Sequence, residues 1–197
     1  LVAAVLAVLL VQRVTRIGWS FHPGVFTDSL KFGVQGYLGN VIQFMNYRVD
    51  MLMVAHFMSV SYVGYYSISV AMAEALWYFP AAVGTVIAAR TPRLRAEEAN
   101  KTTPRICRTT LFITILAALA LFGLSRYVII LFFGSDFLPA VKPLWYLLPG
   151  VVALSTCKVL ANELIGRGKP MINTVVAVIS LAVNVPLNFL LIPRMGI

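Results

Sequence analysis

Residues 106–132 read ICRTTLFITILAALALFGLSRYVIILF, an almost unbroken apolar run in which only Arg108 and Arg126 are charged. As a helix, it is long enough to cross the ~30 Å hydrocarbon core of a bilayer. The rest of the chain has the same character. Of its 197 residues, 60% are hydrophobic and 12% charged, and the mean hydropathy is +0.87. Soluble domains average roughly 45–50% apolar and about 25% charged residues. An ordinary soluble domain, a disordered chain and a disulfide scaffold are therefore excluded. At about 30 residues per span and loop, the length suits about six membrane helices.

Four further spans are expected around that run, at 30–57, 62–89, 138–166 and 170–192. Charged or helix-breaking joins separate them: 12–29, Met58 to Ser61, Arg90 to Arg105, Gly134-Ser135-Asp136, and Arg167-Gly168-Lys169-Pro170. Residues 1–12 form an apolar run too short to span. It has no basic leader and no cleavage site, so it does not read as a signal peptide. We expect it to be the end of a helix that begins outside this sequence. Residues 13–29 are then a connection, 30–192 a five-helix lobe, and 193–197 the start of the next connection.

The cations set the expected orientation. Arg13, Arg16 and Lys31 precede the second span. Arg90, Arg93, Arg95, Lys101, Arg105 and Arg108 cluster between the third and fourth, and Arg167 and Lys169 between the fifth and sixth. If every span crosses, eleven of the sixteen cations fall on one side. That side should be cytoplasmic by the positive-inside rule. Topology thus accounts for much of the net charge of +9, and nucleic acid is not an expected partner.

Arg48, Asp50, Glu74 and Lys158 lie well inside apolar segments. Ionisable groups in a membrane mark a pathway, a pair or a relay. At ~100° per residue, Gln35, Gly36, Gly39, Asn40, Gln43, Asn46, Tyr47 and Asp50 share an arc of about 140° on the second span. Such a stripe suits a helix lining a wet cavity, or one bonded to a neighbour with Gly allowing close approach. Arg48 points away from Asp50, toward another helix or the headgroups. Glu74 shares a face with Ser67, Tyr78 and Thr85, ahead of Pro80. It is a candidate proton or cation site, or a buried partner for Arg or Lys. Lys158 shares a face with Ser155 and Asn162, with Glu163 further round. It is a candidate anion-binding cation, or a partner for Glu74 or Asp50.

Pro143 and Pro149 should interrupt the fifth span, and Asn184, Pro186 and Asn188 the last. His22 and His56 read as solvated or interfacial. Tyr62, Tyr65, Tyr66, Trp77, Tyr78, Trp145 and Tyr146 read mainly as an aromatic belt, with sugar stacking by one or two as the alternative. Cys107 and Cys157 have neither CxxC spacing nor a His cluster and read as free thiols. Gly166-Arg167-Gly168-Lys169 is not a Walker A loop, and HExxH and GxSxG are absent. No catalytic residues, metal site or cofactor are expected.

Several loose motifs in order carry a family resemblance. They are Leu30-Lys31-Phe32-Gly33, Asn46-Tyr47-Arg48-Val49-Asp50, Val63-Gly64-Tyr65-Tyr66-Ser67, Phe133-Gly134-Ser135-Asp136-Phe137, the Gly-Arg-Gly-Lys-Pro turn, and Asn184 through Asn188 into Leu191-Ile192-Pro193-Arg194-Met195-Gly196-Ile197. The sequence resembles Wzx-type oligosaccharide flippases of the polysaccharide exporter family, in the multidrug/oligosaccharidyl-lipid/polysaccharide superfamily. The resemblance implies an all-α membrane helix bundle, the second lobe of a two-lobed, MATE-like transporter. It implies alternating-access movement of undecaprenyl-diphosphate-linked oligosaccharide across the bacterial inner membrane, for O-antigen, capsule or exopolysaccharide. Arg48 and Lys158 would hold the diphosphate, with Asn46, Gln43 and Asn162 as sugar or water contacts. Asp50 and Glu74 would couple an ion. Membrane lipids and the polysaccharide polymerase machinery are the further partners expected.

Other readings remain open, among them a structural or scaffolding membrane subunit. A cation-coupled multidrug efflux transporter of the same superfamily should have a cleft rich in acids and aromatics with few buried cations. An intramembrane transferase should cluster acids or histidines at one membrane face. Arg48 and Lys158 favour an anionic substrate.

Overall fold

The computed structural model describes residues 22–93 and 96–195. The expected helix end at 1–12, most of the connection at 13–29, and residues 196–197 lie outside these residues. The chain divides into two units, 1–34 and 35–197. The described part of the first is the opening of helix α1 (Pro23–Phe57), where Thr27 Oγ1 donates to the carbonyl of Pro23. The rest of α1 and all later elements belong to the second unit.

After α1 come α2 (Val60–Ala75), α3 (Tyr78–Arg90), α4 (Ala96–Phe133), α5 (Val141–Gly166) and α6 (Pro170–Met195). Short 3-10 turns at Thr91–Arg93 and Ser135–Ala140 precede α4 and α5. Among the described residues there is no strand, so the fold is an all-α membrane helix bundle. Among the described residues, three stretches are long and apolar enough to cross a membrane: Glu97–Phe133, Ser135–Gly166 and Pro170–Pro193. A fourth is added if α2 and α3, bent by 42°, count as one span.

The bend has a local cause. Pro80 lacks an N–H and its ring crowds the carbonyl of Leu76, four residues back. The helix therefore stops at Ala75 and restarts at Tyr78, which leaves Pro80 in the permissive first turn of α3. Leu76 and Trp77 close α2 with tighter bonds to the carbonyls of Ala73 and Glu74. The other prolines act differently from expectation. Pro143 falls in the first turn of α5, while Pro149 and Pro186 are carried inside helices that run unbroken. Bundled helices absorb such losses through their neighbours and local adjustment.

The basic stretch expected as a loop at 90–105 is largely helical. Helix α4 starts at Ala96, with Glu97 and Glu98 in its first turn, where carboxylates favour the helix dipole. Its 38 residues extend about 57 Å, well beyond a ~30 Å hydrocarbon core. Lys101, Arg105 and Arg108 thus ride on a helical extension, on its exposed side.

Helix α5 is the hub, packing against α2, α3 and α4. Leu144, Leu148 and Val151 of α5 meet Ala73 of α2 and Ala118 and Ile129 of α4. A second cluster joins Val159 of α5 to Ile87 of α3 and Cys107 of α4. Because lipid is as apolar as Leu, close packing rather than water exclusion holds such helices together. Small residues make that possible. A Cβ on Gly84 of α3 would come within 2.6 Å of the Asn162 amide of α5. Much of the apolar surface remains outside, as on α6, where Val176, Ile179, Val183 and Phe189 are more than half exposed.

Helix α1 is not among the stretches that qualify as spans by composition. Gln35, Asn40, Gln43, Asn46, Arg48 and Asp50 make it too polar.

Candidate functional site: a polar seam and a lysine between aromatic rings

The polar stripe of α1 meets a matching one on α6. Asn46 and Asp50 are four residues apart, as are Asn184 and Asn188, so each pair lies on one helix face. Asn188 Nδ2 donates to Asp50 Oδ1 at 2.6 Å. Asn184 Nδ2 donates to Asn46 Oδ1 at 2.9 Å and to the Asn46 carbonyl at 3.3 Å. Asn188 Nδ2 also donates to Asn184 Oδ1, closing the ladder. Farther along, Thr174 Oγ1 donates to the carbonyl of Gln35 at 3.1 Å. There the helices nearly touch, since a Cβ on Gly39 would stand 2.6 Å from Thr174 Oγ1.

The contacts run 35 with 174, 46 with 184 and 50 with 188, so α1 and α6 are parallel. Four reversals of direction lie between them when the bent pair α2–α3 counts as one span. Within hydrocarbon, interhelical bonds of this kind are worth about 0.6–2 kcal/mol each. Asn46 and Asp50 of α1 thus bond to a neighbouring helix rather than facing lipid.

One end of the seam opens into a cavity of about 310 Å³ lined by Asp50, Tyr66, Lys142, Tyr146 and Asn188 among others. It brings the half-buried Asp50 carboxylate to solvent-accessible space beside a lysine from the start of α5.

The adjoining edge of the same polar arc, at Tyr47, builds a second arrangement. Lys158 of α5 places Nζ 4.3 Å from the centre of the Trp77 ring and 5.1 Å from that of Tyr47. Its ammonium also donates to the Tyr47 hydroxyl at 3.4 Å. The two rings lie 5.0 Å apart. Trp77 reaches this position because it occupies the α2–α3 break, where its Nε1–H donates to the carbonyl of Val151 at 3.2 Å. Cation–π contacts contribute about 0.5–2 kcal/mol. They position the lysine without cancelling its charge. Among the described residues, no carboxylate lies within ion-pair distance of Lys158.

Arg48, next to Tyr47, reaches Glu74 of α2 at 3.9 Å. Both side chains stay partly exposed, 43% for Arg48 and 31% for Glu74. The pair is long and accessible, so an incoming anion can compete for the guanidinium.

Tyr47, Arg48, Glu74, Trp77 and Lys158 are thus neighbours, while Asn46 and Asp50 belong to the α6 seam. Gln43 is half-buried on α1 and makes no side-chain hydrogen bond to another described residue. Asn162 is turned elsewhere. Its amide donates to the carbonyl of Lys158 at 2.9 Å and packs on Gly84. Asn184, Asn188 and Trp77 take part in ways that reading helix breakers and aromatic belts did not assign. The i,i+4 Asn pair on an otherwise apolar helix, matching Asn46 and Asp50, was the available signal.

A third polar cluster closes the far end of α5. Buried Glu163 accepts from Arg167 Nε at 3.0 Å, and Arg167 Nη2 also donates to Asn100 of α4 at 2.9 Å. These bonds tie the α5–α6 corner to the extension of α4.

The class is therefore a multi-pass membrane protein, a helix bundle in which Asn46, Asp50 and Lys158 bond to neighbouring helices. The family model described as polysaccharide biosynthesis protein matches residues 1–142, and the chain belongs to that family. Membership points to a polysaccharide-related exporter, a transporter rather than an enzyme. The match takes in Asn46 through Glu74 and Trp77 and ends at the start of α5, ahead of Lys158 and the two α6 asparagines. No curated protein and no solved structure matches the chain.

Proposed function

We propose that the chain forms the second lobe of a flippase that carries lipid-diphosphate-linked oligosaccharide across the bacterial inner membrane by alternating access. The product would supply O-antigen, capsule or exopolysaccharide. The observation that carries this reading is Lys158, a cation within a candidate span, fixed by two aromatic rings and left without a carboxylate partner among the described residues. Such a group suits a diphosphate. Arg48 is the second anion contact. Glu74 holds Arg48 while the site is empty and releases it when phosphate arrives. Asn46 and Gln43 contact sugar or water, and Asn162 contributes by fixing the turn that carries Lys158.

Asp50 is the coupling residue in this scheme. Ion binding would compete with Asn188 for its carboxylate and loosen α1 from α6. Helix α1 spans the membrane with the others. The parallel pairing of α1 and α6 supports this, since five crossings return the chain to its original direction. The basic segments near 13–29, 90–105 and 167–169 face the cytoplasm.

Replacing Lys158 by Ala in the intact protein tests the reading. Movement of a fluorescent lipid-diphosphate oligosaccharide in proteoliposomes should fall at least tenfold, with the amount of folded protein nearly unchanged. Equal losses in both would make Lys158 a structural residue. The cation-coupled efflux alternative draws its support from the Asp50 seam, which would serve either substrate class.

A further inference from the structure

We propose that the cleft where α2 meets the start of α5 is a saccharide-binding subsite for one sugar ring bearing an acidic substituent. The inference rests on the sugar-exporter reading above and adds a place for the glycan apart from Lys158. The cleft measures about 280 Å³, and its walls include Tyr62, Tyr65, Pro139, Lys142 and Trp145. That is the small end of the ~300–1,000 Å³ typical of ligand clefts, a size for one ring rather than a chain.

Its aromatics are fixed in advance of any ligand. Trp145 stacks on Phe122 at 4.6 Å, and its Nε1–H donates to the Oγ of buried Ser125 at 2.9 Å. Tyr65 is held edge-on between Tyr62 at 6.3 Å and Phe137 at 6.1 Å. Although engaged on one side, Trp145 is 42% exposed and Tyr62 45%. Rigid, half-exposed rings with polar edges offer apolar faces to the C–H face of a pyranose and hydrogen bonds to its hydroxyls.

Lys142 supplies the selectivity for an acid. It is exposed, it lies in the first turn of α5, and among the described residues no carboxylate pairs with it. The same side chain lines the cavity that reaches Asp50 and Asn188. Lys142 therefore stands between the two clefts, where a sugar leaving the seam would meet the aromatic platform next. In the proposed orientation this end of α5 faces away from the cytoplasm, which makes the subsite a receiving site for glycan.

The test uses the intact protein in phosphatidylcholine nanodiscs, titrated with a glucuronate-terminated trisaccharide and with its glucose-terminated analogue. Saturable binding of the glucuronate form is expected. Lys142→Gln should weaken that binding at least tenfold and leave the weaker binding of the neutral analogue unchanged. Tyr62→Leu, at an exposed position tolerant of substitution, should weaken both. Absence of saturable binding, or binding indifferent to Lys142→Gln, overturns the inference. Competition by added phosphatidylglycerol as strong as that by the trisaccharide would assign the cleft to lipid headgroups and also overturn it. Translocation of lipid-linked oligosaccharide is measured in parallel. Translocation without trisaccharide binding refutes the subsite alone. Binding without translocation refutes the exporter reading and leaves the subsite standing.

Discussion

The α4–α5 interface and the α1–α6 seam handle polar groups in opposite ways. Between α4 and α5, buried hydroxyls mostly bond back to their own helix: Thr114 to the carbonyl of Thr110 at 2.8 Å, Ser155 to that of Val152 at 2.7 Å. The contact itself is made by Ala118, Ile129, Leu144 and Leu148. Along the seam, side-chain amides and a carboxylate bond across from helix to helix. An interface of interlocked apolar side chains loses its contacts outright when it opens. An interface of hydrogen bonds can exchange them for water or an ion. The difference assigns rigidity to the α5-centred core and adjustable contact to the seam, the division of labour that the proposed alternating access requires.

The largest expected effect lies on the rigid side. Leu144 is fully buried, and Leu144→Ala should cost about 2–5 kcal/mol in lost contacts and residual cavity. Thermal unfolding of the detergent-solubilised intact protein should show a clear drop in Tm. An unchanged Tm would mean that the core is loosely packed and the contrast false.

The seam should respond differently. Asp50→Asn keeps the shape of the side chain and an acceptor for Asn188, so the protein should fold at near-normal levels. Transport should lose its dependence on an ion gradient. Retained ion dependence would remove Asp50 from coupling. Asn188→Leu, which leaves the Asp50 carboxylate without its donor, should shift the ion concentration needed for half-maximal transport. A shift of less than twofold would detach α6 from that role.

A smaller effect sharpens the picture of how closely α1 and α6 approach. Gly39→Ala places a methyl group against Thr174 Oγ1 and should lower stability by about 1 kcal/mol. Thr174→Ala removes that oxygen along with its bond to Gln35. The double substitution should therefore recover part of the loss caused by Gly39→Ala, as read by Tm. Simple additivity of the two losses would mean that the helices do not meet at Gly39.

The positions of the helices were legible in the sequence because apolar length and breaker residues are local signals. The expected span at 138–166 corresponds to Ser135–Gly166, and that at 170–192 to Pro170–Pro193. Local signals served less well at the prolines. Pro80 lies beside a disturbed span, but the break falls at Leu76 and Trp77, because the clash acts four residues upstream. Pro149 and Pro186 break nothing, since neighbouring helices decide whether a proline interrupts or only strains.

Site residues were legible one helix at a time. The face of α1 carrying Asn46 and Asp50, and the outward bearing of Arg48, follow from helical geometry. Their partners do not, because register between helices is set by packing. Asn188 opposite Asp50, Glu74 opposite Arg48 and Trp77 beside Lys158 all depend on how α2, α5 and α6 close around α1. Trp77 was the hardest to read, since its role arises from the break that swings it inward.

An anionic sugar-lipid is the proposed cargo of this bundle. The most direct test places the intact protein in liposomes with a fluorescent lipid-diphosphate oligosaccharide and, in separate vesicles, a cationic dye. Translocation of the sugar-lipid between leaflets without dye transport is the predicted result. Dye transport with no movement of the sugar-lipid would contradict it and make Asp50 and Glu74, rather than Arg48 and Lys158, the residues that meet the substrate.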